Sequence, residues 1–112
     1  MKRCAVGILS CLPAVLPTVA LSEIVPQSLR YSCDRGVEVP VTYVNADDGA
    51  VVVLNIEGRQ IALVAAPAGS GARYGWPSGG SSYVWLSKGA EATLYWQADG
   101  QETVLLSCVE AP

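Results

Sequence analysis

The chain contains no histidine, and only 15% of its residues are charged. Without imidazole, the commonest general acid and base is missing, and no two carboxylates stand at a spacing that would replace it. The same shortage removes most transition-metal donors. Helical periodicity is also absent: apolar residues recur at every second position rather than every third or fourth, which excludes a helical bundle. The small-residue stretch around Gly69 and Gly71 lacks the third glycine and the following helix of a dinucleotide or phosphate loop. Basic residues are few, seven against ten acidic, so nucleic acid and anionic membrane surfaces are poor partners.

No apolar run is long enough to span a membrane. Ala5 to Val19 is apolar but broken by Pro13 and Pro17. It follows Lys2 and Arg3 and ends in Thr18-Val19-Ala20, the layout of a secretory signal peptide covering residues 1–20, with cleavage expected near Ala20. A periplasmic protein is the expectation. Ile8-Leu9-Ser10-Cys11 loosely resembles a lipobox, so an outer-membrane lipoprotein anchored through Cys11 is the alternative, although the apolar segment before Cys11 is short for one.

Cleavage changes what remains. Arg30, Arg35, Arg59, Arg73 and Lys88 would face all ten carboxylates, a net charge of −5 that favours a basic protein partner. Cys4 and Cys11 would leave with the leader. Cys33 and Cys108 would then be the only thiols in an oxidising compartment and are expected to form a disulfide.

After a Pro- and Ser-containing linker at 21–27, residues 28–112 read as one domain of short alternating runs closed by turn residues. Leu29, Tyr31 and Cys33 alternate inward, as do Val37, Val39, Val41 and Tyr43, with Pro40 on the other face at an edge or bulge. Ala46-Asp47-Asp48-Gly49, Glu57-Gly58 and Ala98-Asp99-Gly100 are turn signals. Asp47-Asp48 is a turn in this reading rather than a calcium site. Tyr74 to Ser82, rich in Gly, Ser and Pro, is a hairpin tip. The expected fold is all-β: a small antiparallel barrel of about eight strands, closed by one disulfide.

Two segments stand out within that pattern, Gly69-Ser70-Gly71-Ala72-Arg73-Tyr74-Gly75 and Lys88-Gly89-Ala90-Glu91-Ala92. If they pair antiparallel with opposite residue numbers summing to 158, Ser70 meets Lys88, Ala72 meets Leu86 and Tyr74 meets Val84. That register would set the Ser70 hydroxyl beside the Lys88 ammonium. Arg73 would point away from Ala72 and Tyr74, either to pair with Glu91 or to touch a partner. Trp85, Tyr95 and Trp96 fit the barrel core or wall. Trp76 is either a lid or an exposed contact.

Ser70-Gly71-Ala72-Arg73-Tyr74, Val84-Trp85-Leu86-Ser87-Lys88-Gly89 and Glu91-Ala92-Thr93, with Tyr31-Ser32-Cys33 and Cys108, resemble the MliC/PliC family of bacterial c-type lysozyme inhibitors. The chain departs from that pattern in a segment between the two motifs some four residues longer than usual, and in Ala90, where many members carry Asp. The resemblance implies an eight-stranded barrel whose motif loops enter the lysozyme cleft, and a c-type lysozyme, generally a basic protein, as partner. It implies that Lys88 supplies a charge and Ser70 a hydrogen bond to the two catalytic carboxylates, that Gly71 and Gly89 permit close approach, and that Arg73 and Tyr74 belong to the binding motif. No cofactor or metal is implied, and no enzymatic activity. Two rival readings come from the residues: a lipocalin-like barrel holding a small apolar ligand, and a hydrolase using Ser70 and Lys88 as nucleophile and base.

Overall fold

The structure is a computed structural model that describes residues 24–46, 49–76, 78 and 80–112. The expected signal peptide, Cys11, most of the Asp47-Asp48 turn, and Pro77 and Gly79 of the hairpin tip lie outside the described residues. Among the described residues eight strands follow one another: β1 (Val25–Cys33), β2 (Glu38–Ala46), β3 (Gly49–Ile56), β4 (Arg59–Ala66), β5 (Ala72–Gly75), β6 (Ser82–Lys88), β7 (Glu91–Ala98) and β8 (Gln101–Glu110). A 3-10 turn at Asp34–Gly36 joins β1 to β2. Each strand pairs antiparallel with the next, and β8 returns to pair with β1, which closes an up-and-down barrel.

Alternation sets the two faces of the wall. Along β2, Val39, Val41 and Tyr43 are buried while Pro40, Thr42 and Val44 are not. The tight turns follow their sequence signals: Glu57-Gly58 and Asp99-Gly100 both hold positive φ at their two central residues, which matches the twist of the flanking strands. β1 begins at Val25, so Val25, Pro26 and Gln27 of the expected linker are strand residues paired with β2. Both strand prolines fall where the backbone has one ladder partner only. β1 pairs with β8 solely over Tyr31–Cys33, and β2 pairs with β3 only from Val41 onward, so the missing N–H of Pro26 and of Pro40 breaks no second ladder.

Trp85, Tyr31, Leu54, Leu63, Leu94, Val39, Val41 and Val52 fill the middle of the barrel, with Trp85 at 0% exposure. Side chains therefore occupy positions that would line a deep ligand chamber, which leaves the lipocalin-like reading with less support. β7 and β8 slip by one residue, with Leu94 opposite Leu106 and Tyr95 opposite Val104, so Leu105 is the extra residue of a bulge. Closure rests on a short seam in which Tyr31 faces Glu110, Ser32 faces Val109 and Cys33 faces Cys108. The expected Cys33–Cys108 disulfide bridges that seam across 75 residues of chain. A loop of that length corresponds to about 4 kcal/mol of lost unfolded-state entropy.

Candidate functional site

One end of the barrel gathers both motif segments. β4 leaves it into residues 67–71 and β5 re-enters from it, while β6 ends there at Lys88 and turns through Gly89-Ala90 into β7. Lys88 and Glu91 face each other across this two-residue turn. Gly89 takes the left-handed φ of 60° that its first position requires, as in a type II′ hairpin. The end of the last strand ties the turn down, the Glu110 N–H donating to the Ala90 carbonyl at 2.8 Å, and the next residue holds β1, the Ala111 N–H donating to the Arg30 carbonyl at 2.8 Å.

The β5–β6 register differs from the expected one by a residue. Ala72 faces Ser87, Arg73 faces Leu86 and Tyr74 faces Trp85, so opposite numbers sum to 159. A one-residue slip exchanges the faces, and burial decides between them: Tyr74 and Trp85 go inward together and fill the interior. Continuing the same count sets Gly71 across from Lys88 and Ser70 level with Gly89. Ser70 and Lys88 therefore share a rim without being direct ladder neighbours.

Gly71 is the tightest point of that rim. Its φ is +73°, and a Cβ added there would overlap the Ser87 carbonyl oxygen and lie 3.2 Å from the Lys88 Cβ. The absence of a side chain lets the 67–71 segment pack on the backbone that carries Lys88. The lysine itself is exposed, and among the described residues it makes no ion pair or hydrogen bond. Ser70 is exposed as well.

Arg73 does not pair with Glu91. It forms an ion pair with Glu102 and donates to Gln97 Oε1 at 3.3 Å, spanning the outer wall from β5 to β7 and β8. Gln97 and Glu102 face each other on those strands, and the guanidinium reaches both across the intervening β6.

Tyr74 is only 6% exposed and belongs to an aromatic floor beneath the rim. Tyr31 Oη and Tyr43 Oη lie 2.8 Å apart, and the Trp85 Nε1–H donates to Tyr43 Oη at 2.9 Å. The Tyr31 and Trp85 rings meet edge to face with centroids 5.2 Å apart, and Tyr43 and Tyr74 lie at 5.8 Å. Burial, then the bond to Tyr43, then nearby negative charge including Glu110 push the Tyr31 phenol well above the usual tyrosine range. Burial, then Tyr43, raise Tyr74 as well. This floor was not singled out from sequence: Tyr31 and Tyr43 are inward by alternation, but their meeting with Tyr74 and Trp85 depends on the register around the barrel. Above the floor is a depression of about 290 Å³ lined by Gln27, Leu29, Asn45, Ser87, Gly89 and Glu110 together with the three tyrosines.

The remaining aromatics lie elsewhere. Trp76 is 52% exposed in the loop after β5, so it is a surface residue rather than a lid. Tyr83 and Trp96 stack edge to face on the wall with centroids 5.1 Å apart.

Residues 31–103 match the family described as membrane-bound lysozyme-inhibitor of c-type lysozyme. A protein of Cupriavidus necator named membrane-bound lysozyme inhibitor of C-type lysozyme is 35% identical over 88 residues, covering 77% of this chain and 67% of the relative. A protein of the same name from Pseudomonas aeruginosa is 31% identical over 87 residues, covering 75% of this chain and 65% of the relative. The chain thus spans about two thirds of the length of these relatives. The crystal structure of Pseudomonas aeruginosa MliC in complex with hen egg white lysozyme superposes with a TM-score of 0.64 at 26% identity, covering 88% of this chain and 99% of that one.

Proposed function

The chain belongs to the family of membrane-bound lysozyme inhibitors of c-type lysozyme, and from that membership we propose that it inhibits a c-type lysozyme by presenting Lys88 and Ser70 to the enzyme's catalytic carboxylates. Glycoside hydrolysis of this kind needs one protonated and one ionised carboxyl flanking the scissile bond. An ammonium set between them neutralises the pair and fills the place of substrate, and a hydroxyl supplies a further hydrogen bond.

The observation that carries the reading is the state of Lys88. It stands exposed on a two-residue turn, without an internal counterion among the described residues, while its backbone is braced by the close packing of Gly71 and by the Glu110 bond to Ala90. A cation held in place but left unpaired is suited to meet a carboxylate supplied by another protein. The Ser-Lys hydrolase reading has less support: Ser70 and Lys88 are not ladder neighbours, and the relatives are named inhibitors. We take the protein to be a binder and not an enzyme.

The relatives' names fit a membrane-associated or periplasmic place of action. We assign the chain to the periplasm with residues 1–20 as its signal peptide, and intact mass of the exported protein tests this against a lipid-modified Cys11.

The mechanism is tested by titrating a c-type lysozyme with parent, Lys88→Ala and Ser70→Ala while following cell-wall lysis and thermal melting. Removing Lys88 leaves two buried carboxylates without their counterion and is expected to cost about 2–5 kcal/mol, some 30-fold to several-thousand-fold in affinity. Removing the Ser70 hydroxyl is expected to cost about 1–3 kcal/mol. Both variants should melt with the parent, because neither side chain is in the core. Full inhibition by folded Lys88→Ala would refute the mechanism.

A further inference from the structure

The depression beside Lys88 has features that a flat binding rim would not need. Its floor is made of the buried aromatic rings of Tyr31, Tyr43 and Tyr74, and its margin carries the carboxylate of Glu110 and the side-chain amides of Gln27 and Asn45. Ser87 and Gly89, the residues on either side of Lys88, form the wall nearest the turn.

The hydrogen bonds in the floor leave capacity unused. Tyr43 Oη accepts from Trp85 and shares one proton with Tyr31 Oη. Whichever of the two donates, a lone pair on Tyr31 stays open, and among the described residues the Tyr74 hydroxyl has no partner at all while its ring is buried. Phenol oxygens, amide oxygens and a carboxylate are acceptors, and the carboxylate adds a negative charge. The chemical group that uses all of these together is a positively charged side chain with several N–H donors.

We propose that this depression receives an arginine or lysine side chain of the lysozyme, with Glu110 as its counter-charge and the three tyrosines as its floor. The proposal rests on the lysozyme-inhibitor reading. The depression is continuous with the rim that carries Lys88, and an acidic chain facing a basic enzyme supplies the charge complementarity. The contact is then reciprocal: a cation of the inhibitor enters the enzyme's acidic cleft, and a cation of the enzyme enters the inhibitor's acidic depression. Such a pairing fixes the orientation of the two proteins where a single inserted lysine leaves rotation about its axis open.

The test compares two substitutions that remove one negative charge from the same end of the barrel. Glu110→Gln keeps the backbone N–H that holds Ala90 and changes the depression. Glu91→Gln removes the carboxylate opposite Lys88, which borders the outer wall and not the depression. Binding to hen egg white lysozyme is measured kinetically at low and high salt, with Lys88→Ala in the same series and melting curves for every variant. Glu110→Gln is expected to weaken binding about tenfold, mainly through faster dissociation, and Glu91→Gln by less than about twofold, mainly through slower association. Equal effects of the two glutamates would reduce Glu110 to a contributor to overall charge and overturn the proposal. So would unchanged dissociation in folded Glu110→Gln. If Lys88→Ala binds as the parent does, the inhibitory mechanism itself fails, and that outcome is separate from the behaviour of Glu110.

Discussion

Replacing Gly71 with alanine tests how the motif end is built, because two independent penalties meet at that residue. The first is conformational: at φ +73° an L side chain costs roughly 1–2 kcal/mol. The second is steric, since the new methyl overlaps a backbone carbonyl oxygen, that of Ser87, and not the yielding tip of a side chain. Forcing an extra carbon into a packed site adds about 1–3 kcal/mol. The sum, about 2–5 kcal/mol, corresponds to a melting temperature lower by on the order of 10–40 °C for a domain of this size. Ser87 precedes Lys88, so the retreat of its carbonyl carries the lysine with it, and a displacement approaching an ångström is enough for about a tenfold to hundredfold loss of inhibition.

Gly100→Ala is the control. Its φ is +76° with nothing within 4 Å of an added Cβ, at the end of the barrel away from Lys88, so it should lose about 1–2 kcal/mol and inhibit as the parent does. Melting curves and lysozyme inhibition, taken at a temperature where all three proteins are folded, provide the comparison. If Gly71→Ala melts no lower than Gly100→Ala, the overlap with Ser87 is not there. If it melts lower but inhibits normally, packing at Gly71 does not position Lys88.

Reducing the Cys33–Cys108 disulfide should lower unfolding free energy by about 4 kcal/mol, read from denaturant curves with and without a thiol reductant; unchanged midpoints would mean the seam holds without it. Tyr43→Phe strips Trp85 Nε1 of its acceptor and Tyr31 of its partner, and should cost about 2–3 kcal/mol, measured by the same curves. Stability should also fall in alkali. Tyr31 and Tyr74 have folded-state values raised above the ordinary 10.0, so the unfolded chain releases those protons first; the contribution is complete below pH 10 and is lost progressively above it. Melting temperatures across that range, with phenolate absorbance, check the direction.

The barrel was legible in sequence because its signals are local. Alternation in Val39, Val41 and Tyr43, and the Glu57-Gly58 and Asp99-Gly100 turns, specify strands and hairpins without reference to the rest of the chain. Pairing Cys33 with Cys108 joined the two ends of the domain. The register of β5 against β6 was not legible, and the residues explain why. Val84 and Trp85 are adjacent, both apolar and both buried, so neither pattern nor hydropathy says which one points inward. The answer is fixed by the interior: Trp85 reaches Tyr43 with its indole N–H, a contact 42 residues away in sequence. The early end of the linker was missed for a similar reason. Pro26 argues against a strand unless the chain is known to have one free edge there. Of the motif residues, the sequence placed Ser70 and Lys88 on one rim, but it could not show that Arg73 is taken up by Glu102 or that Tyr74 lies under the rim, since both depend on strands distant in the chain.

The way the wall closes also sets an order of assembly. Every ladder but one joins strands that are neighbours in sequence, so each hairpin can zip as soon as its second strand exists. The β1–β8 seam is the exception, since it joins the first strand made to the last. During synthesis the native partner of Cys33 therefore emerges only 75 residues after it. A product cut short anywhere before Cys108 lacks the native partner of Cys33. The thiol then reports an unfinished molecule, open to capture by any oxidant or other cysteine that distinguishes completed chains from incomplete ones.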